Sequence, residues 1–123
     1  MRLALILSLS VCLVQQASAR MSLTEHYSQE MLLKNWALSR CLAKTYNDET
    51  VRDDANATAS AYLEYGKQSI ETYHQLDEFV DKYVNLAYGG SVKSDFNTMK
   101  CIDLYHSKEL QKMVLTALKN KRN

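Results

Sequence analysis

The stretch Ser69-Ile70-Glu71-Thr72-Tyr73-His74-Gln75-Leu76-Asp77-Glu78-Phe79-Val80-Asp81-Lys82-Tyr83-Val84-Asn85-Leu86-Ala87 decides the fold. Its apolar positions Ile70, Tyr73, Leu76, Val80, Tyr83, Val84 and Ala87 recur mostly at spacings of three and four, which winds them onto one side of a helix. Glu71, Asp77, Glu78, Asp81 and Lys82 take the other side and read as a solvated face. Ser69 precedes the first apolar residue, where its hydroxyl can accept a free amide of the first turn. The spacing predicts a helix over 70–87.

Beyond it lies Tyr88-Gly89-Gly90-Ser91-Val92-Lys93-Ser94, which holds the only paired glycines of the chain and is its strongest loop signal. A fourth helix is expected from near Asp95, burying Phe96, Met99, Ile102 and Tyr105. A fifth, over 108–120, follows a Ser107 cap, with Glu109 in its first turn and Lys119 and Lys121 at its end, as the helix dipole favours. Before residue 70, a helix over 51–65 carries alanine at 55, 57, 59 and 61, so a neighbour can approach it closely. The polar cluster Asn47-Asp48-Glu49-Thr50 precedes it and Gly66 ends it. The first helix is expected over 23–46, opened by the capping box Ser22-Leu23-Thr24-Glu25. Tyr27, Met31, Leu38, Cys41 and Leu42 form its stripe, widened by Leu23, Leu33 and Trp36. No segment reads as a strand. With three glycines and no proline in 123 residues, the composition agrees with an all-α bundle of about five helices.

Residues 1–19 read as a secretory signal. Met1 and Arg2 give the positive start, Leu3 to Val14 is apolar, and Ala17-Ser18-Ala19 offers small residues before a cut after Ala19. The apolar run rises only about 18 Å as a helix, short of the roughly 30 Å of a bilayer core. The remainder, 20–123, has the size of a single domain. Arg2 leaves with the signal, so one of the 15 basic residues goes and 14 remain against 14 acidic ones. A neutral chain with no basic stripe is a poor partner for nucleic acid or anionic lipid.

Cys12 also leaves with the signal. Cys41 and Cys101 then allow one pairing, which an oxidising compartment favours. The competing readings are a nucleophilic thiol or two free buried thiols. Cys41 lies in the body of an apolar helical pattern, which does not activate a thiol.

Catalytic patterns are missing from the sequence. His26, His74 and His106 form no zinc motif, and His106 and Cys101, five apart on one helix, point in different directions. There is no phosphate loop, no nucleophile elbow and no haem attachment motif, so neither an enzyme nor a bound cofactor is expected. Asn56-Ala57-Thr58 fits a glycan acceptor but falls inside a predicted helix. The eight tyrosines are generous for the length and suit either a core rim or a protein interface. Tyr88, beside the paired glycines, is the one not explained by burial.

Three segments carry a family likeness: Lys34-Asn35-Trp36-Ala37-Leu38-Ser39-Arg40-Cys41-Leu42-Ala43-Lys44, Ser60-Ala61-Tyr62-Leu63-Glu64-Tyr65-Gly66-Lys67, and Phe96-Asn97-Thr98-Met99-Lys100-Cys101-Ile102-Asp103-Leu104-Tyr105-His106-Ser107-Lys108-Glu109-Leu110. They resemble the immunity proteins of the fourth type VI secretion amidase family, over roughly Leu33 to Val114. The resemblance implies a periplasmic, all-helical homodimer of Gram-negative bacteria. Its partner would be a secreted peptidoglycan amidase, a cysteine peptidase of the NlpC/P60 kind that cuts between D-glutamate and diaminopimelate, held in a 2:2 complex. It further implies that a loop between helices enters the groove of the amidase, and the matching positions here are Gly89, Gly90, Ser91, Val92, Lys93 and Ser94, flanked by Tyr88. Two glycines suit a backbone that must approach a narrow groove. Ser91 and Lys93 are the polar candidates and Val92 the apolar anchor. A plainer reading has Lys93 solvating a turn and Ser94 capping the next helix. A periplasmic binding or chaperone module, distinguished by many unfolded clients, and a small-ligand helical bundle are the alternatives.

Overall fold

The structure is a computed structural model, and it describes residues 23–120. The expected signal and the expected capping residue Ser22 lie outside the described residues, as does Lys121. A short 3₁₀ turn, Leu23–His26, is followed by five helices: α1 Gln29–Thr45, α2 Glu49–Tyr65, α3 Ile70–Val84, α4 Asn97–His106 and α5 Lys108–Asn120. The described residues contain no strand.

Four of the five helices start at a side-chain cap. Ser28, Asp48 and Ser69 cap α1, α2 and α3 by accepting the amides of Met31, Val51 and Thr72, and Ser107 Oγ accepts the amide of Leu110 in α5 at 3.1 Å. The first helix thus begins later than its sequence suggests. Leu23 to His26 close a tight turn instead, with Tyr27 N–H donating to Thr24 O, and Tyr27 meets Tyr62 of α2 with ring centroids 6.3 Å apart. Helix α3 ends at Val84 rather than Ala87. Asn85 stops it by donating both its backbone N–H and its side-chain amide to Asp81 O.

Helix α1 is the centre of the bundle and touches each of the other four. Leu33, Trp36, Ala37 and Cys41 face Ala59 of α2, Tyr73, Leu76, Phe79 and Val80 of α3, Cys101 and Leu104 of α4, and Leu110 and Val114 of α5 in one core. Full burial of such a leucine contributes about 1.5–3 kcal/mol. Trp36 and Tyr73 meet edge to face at 5.1 Å. Ala55 and Ala59, one turn apart, are the buried residues of α2, as its small side chains predict. The Gln29 side chain joins the two ends of the α1–α2 pair, donating to Tyr65 O and accepting the Lys67 amide.

Several expected core positions are exposed. Met31 is on the surface while Leu32 is buried, Ile70 is 64% exposed, and Met99 and Ile102 are about half exposed. On α4 the buried side is Lys100, Cys101 and Leu104. The disulfide fixes that rotation, since Cys101 must point at Cys41 and carries Leu104, three residues on, inward with it.

The acidic side of α3 is not simply solvated either. Asp77 accepts from Arg40 Nε at 2.8 Å and Lys44 Nζ at 2.7 Å, and Lys44 also meets Asp81 at 2.6 Å. Arg40 Nη1 reaches Asn56 Oδ1 of α2 at 2.7 Å, so one guanidinium links three helices. Partial burial would raise the Asp77 carboxyl, but its hydrogen bonds from Arg40 and Lys44 and their charges outweigh this and hold it below its usual range.

Candidate binding loop

Residues 85–96 join α3 to α4 without regular structure. Both feet of this loop are fastened. At the first, Leu86 N–H donates to Tyr83 O, and the buried Lys100 directs its ammonium at Val84 O, 3.5 Å away. That places a positive charge at the C-terminus of α3, where the helix dipole favours it. At the second foot, Asn97 Nδ2 donates to Thr45 O at 3.0 Å, the hydroxyls of Tyr46 and Thr98 are hydrogen-bonded, and Cys101 is joined to Cys41 with an S–S distance of 2.04 Å. Both sulfurs belong to fully buried residues. The pairing read from the sequence is therefore present, and neither cysteine is a free thiol.

Between the feet, the residues singled out in the sequence have different roles. Tyr88 is half-buried and donates its hydroxyl to Asp103 Oδ2 of α4 at 2.8 Å. That hydrogen bond, then partial burial and the nearby carboxylate charge, push the phenol above its ordinary value. Gly89 is open, with no atom within 4 Å of where a Cβ would stand. Gly90 lies on the Phe96 ring, and a Cβ there would sit 2.8 Å from Phe96 Cζ. Ser91, Val92, Lys93 and Ser94 are exposed, Val92 at 70%. The Ser94 hydroxyl does not cap α4; it accepts the Phe96 amide at 3.1 Å.

The residue before α4 is Phe96 itself, in the left-handed region at φ 50° and ψ 39°, with no side-chain cap. An aromatic residue held there costs of order 1–3 kcal/mol. Phe96 is only partly buried, which corrects its expected place in the core. Neither glycine of the pair has a positive φ, so the turn does not use the conformational freedom that glycine brings. Phe96, Asp103 and Lys100, three of the residues that hold the loop, have no local signature. Their roles depend on which parts of α3, α4 and the loop meet.

The exposed tip of the loop is available for contact. Below the loop, Tyr46, Ser94, Phe96, Asn97, Met99 and Ile102 border a shallow concavity of about 500 Å³. A groove of about 880 Å³ lies elsewhere, between α3 and α5, with Leu76, Phe79, Met113 and Ala117 along it. His106 stands against the ring of Tyr105. Among the described residues, no group of three His, Cys, Asp or Glu side chains could hold a metal ion, and no helix is long and apolar enough to cross a membrane.

Residues 31–114 match the model of a protein family described as type VI secretion system (T6SS) amidase immunity protein, Tai4. A chain from the effector–immunity system Tae4/Tai4 of Salmonella typhimurium is 61% identical, with a TM-score of 0.75 over 77% of this chain and 94% of that one. A chain from a structure of type VI-secreted toxins and self-resistance proteins in Serratia marcescens is 31% identical, with a TM-score of 0.71 over 81% and 86%. A chain of the Tae4–Tai4 complex from Enterobacter cloacae has the same fold at 23% identity, with a TM-score of 0.69 over 78% and 98%. No curated protein matches the chain.

Proposed function

The chain belongs to the type VI secretion system amidase immunity family, and from that membership we propose that it inhibits a peptidoglycan amidase by filling the active-site groove with residues 88–94. It is the immunity half of a type VI effector–immunity pair. The partner we propose is a cysteine peptidase of the NlpC/P60 kind that cuts between D-glutamate and diaminopimelate. The chain itself performs no chemistry.

The observation that carries this reading is an exposed tip on fastened feet. Val92 stands 70% exposed between Ser91 and Lys93, while both ends of its loop are tied to packed helices. A loop already held in one shape loses less freedom on binding, and more of the contact energy appears as affinity. Val92 supplies the apolar anchor, Ser91 a hydrogen-bonding group, and Lys93 a charge for an acidic group of the groove. The plug blocks substrate and survives because no peptide bond of the loop is presented to the nucleophile in a reactive geometry. Flanking helices add contact, since a stable interface needs about 1,600 Å² in total.

The periplasm is the compartment we infer, since the target is the cell wall and a Cys41–Cys101 bridge persists where the surroundings are oxidising. We further propose a homodimer that binds two amidase molecules. Light scattering of the protein alone and with the amidase, expected to give masses for two and then four chains, tests this.

The decisive experiment sends the type VI amidase encoded beside this gene to the periplasm of a host bacterium, with and without this protein. Survival only in its presence, with co-purification of the pair, is the expected result. Lysis despite a folded, exported protein would overturn the proposal for that amidase.

A further inference from the structure

Phe96 is the described non-glycine residue with a positive φ. Glycine or asparagine takes that conformation more readily, and a bulky side chain there is a genuine outlier. The ring accounts for the choice. It lies against Gly90, six positions earlier, so closely that an added Cβ would stand 2.8 Å from Cζ and 3.3 Å from Cε2. The paired glycines are thus unequal. Gly89 faces open space, whereas the missing side chain of Gly90 is used, and it is used inside this molecule.

A second tie closes the loop from the other side, where Ser94 Oγ accepts the Phe96 amide at 3.1 Å. Residues 90 and 96 therefore form the closed ends of an arch whose span is Ser91 to Asp95, and all five of those residues are exposed. The arch stands directly on the first turn of α4, where Lys100 N–H donates to Phe96 O at 3.0 Å. A strained residue is retained where the structure around it determines its conformation. Here the conformation both turns the chain into α4 and puts the ring under Gly90.

We propose that Phe96 is a positioning residue for inhibition: its left-handed backbone and its ring beneath Gly90 hold the arch 91–95 preformed, so that the tip meets the amidase already in its binding shape. This rests on the loop being the inhibitory plug. When only a fraction of the conformers can bind, apparent affinity falls by that fraction. Removing the ring frees the arch, and a drop of the binding shape to a tenth of the population weakens binding about tenfold.

The test uses the full exported protein and three variants, Phe96→Gly, Gly90→Ala and the double variant. Phe96→Gly keeps the backbone conformation accessible and deletes the ring. Gly90→Ala places a methyl against the ring, and in the double variant the ring atoms nearest that methyl are gone. Backbone amide order parameters over 89–95 are read by NMR relaxation in the free protein, and dissociation constants are read against the amidase encoded beside the gene, with Val92→Glu as a control on the tip. The expected result is lower loop order parameters and about tenfold weaker binding for each single variant, with an unchanged melting temperature. The double variant should be no worse than Phe96→Gly alone, a coupling that general destabilisation would not produce. Unchanged loop order parameters in Phe96→Gly would overturn the inference whatever the partner. Lower order parameters with unchanged affinity, while Val92→Glu abolishes binding, would overturn the positioning role and leave the plug standing. Unchanged affinity in every variant including Val92→Glu would overturn the plug and the positioning role together.

Discussion

The Tyr88 hydroxyl donates to Asp103 Oδ2 at 2.8 Å, so the first residue of the tip is held by the middle of the helix that comes after the loop. Asp103 raises the phenol pKa, mainly through this hydrogen bond. The bond stabilises the neutral phenol and is present below the ordinary value of 10.0; it is lost as pH rises through the higher folded value. Ultraviolet titration, with Tyr88→Phe as the subtraction, should show Tyr88 ionising above 10.0, and Asp103→Asn should bring it back toward that value. A normal titration in the wild type would mean that the bond does not persist in solution.

The disulfide joins positions separated by 60 residues. By loop-closure entropy such a bridge stabilises the folded state by about 4 kcal/mol, less any strain. Cys41→Ala with Cys101→Ala should lower stability in urea by several kcal/mol, and more than reductant added to the native protein, because both sulfurs are enclosed. Equal stability with and without the bridge would show that it does not stabilise the fold.

Asp77→Asn should destabilise the protein by about 1 kcal/mol at neutral pH, discounted for its partial exposure. The sign of the pH effect comes from the lowered carboxyl. A depressed pKa stabilises above the unfolded value of about 3.9 and ceases to do so as pH falls through the folded value. The gap between wild type and Asp77→Asn should therefore close in acid. A gap that persists there would place the effect of Asp77 in packing rather than in its charge.

Val92 is a test of the tip that spares the fold. At 70% exposure, Val92→Glu should change stability by less than about 0.5 kcal/mol while abolishing protection against the amidase. Gly90 and Ser91 replaced together by bulky residues should also abolish protection while leaving the melting temperature intact, and unchanged protection would sink the plug.

Much of the bundle is legible in the sequence because capping and spacing are local. Ser69, Ser107 and Gly66 mark their boundaries, and the stripe Tyr73, Leu76, Val80 on α3 is buried as its spacing predicts. The errors arise where a distant partner decides. Helix α4 has apolar residues on two sides, Met99 and Ile102 against Cys101 and Leu104, and only the bond to Cys41 selects between them. Lys100 reads as a surface residue, yet it is buried because the end of α3 offers it a carbonyl. Arg40 and Lys44 are four apart, as are Asp77 and Asp81, but a ladder between the pairs exists only once α1 lies beside α3. The loop is visible through its paired glycines. What shapes it is not, because Gly90 matters through a ring that the local pattern assigns to the core.

Helix α1 touches every other helix, which makes it an axle. None of the four surrounding helices can swing away without baring part of α1, and exposing Leu33 or Ala37 to water weakens what holds the remaining three. One core cluster shared by all five helices is the build from which small domains usually unfold in a single cooperative step. The bundle, and with it the fastened feet of residues 85–96, is therefore expected to be whole in every folded copy.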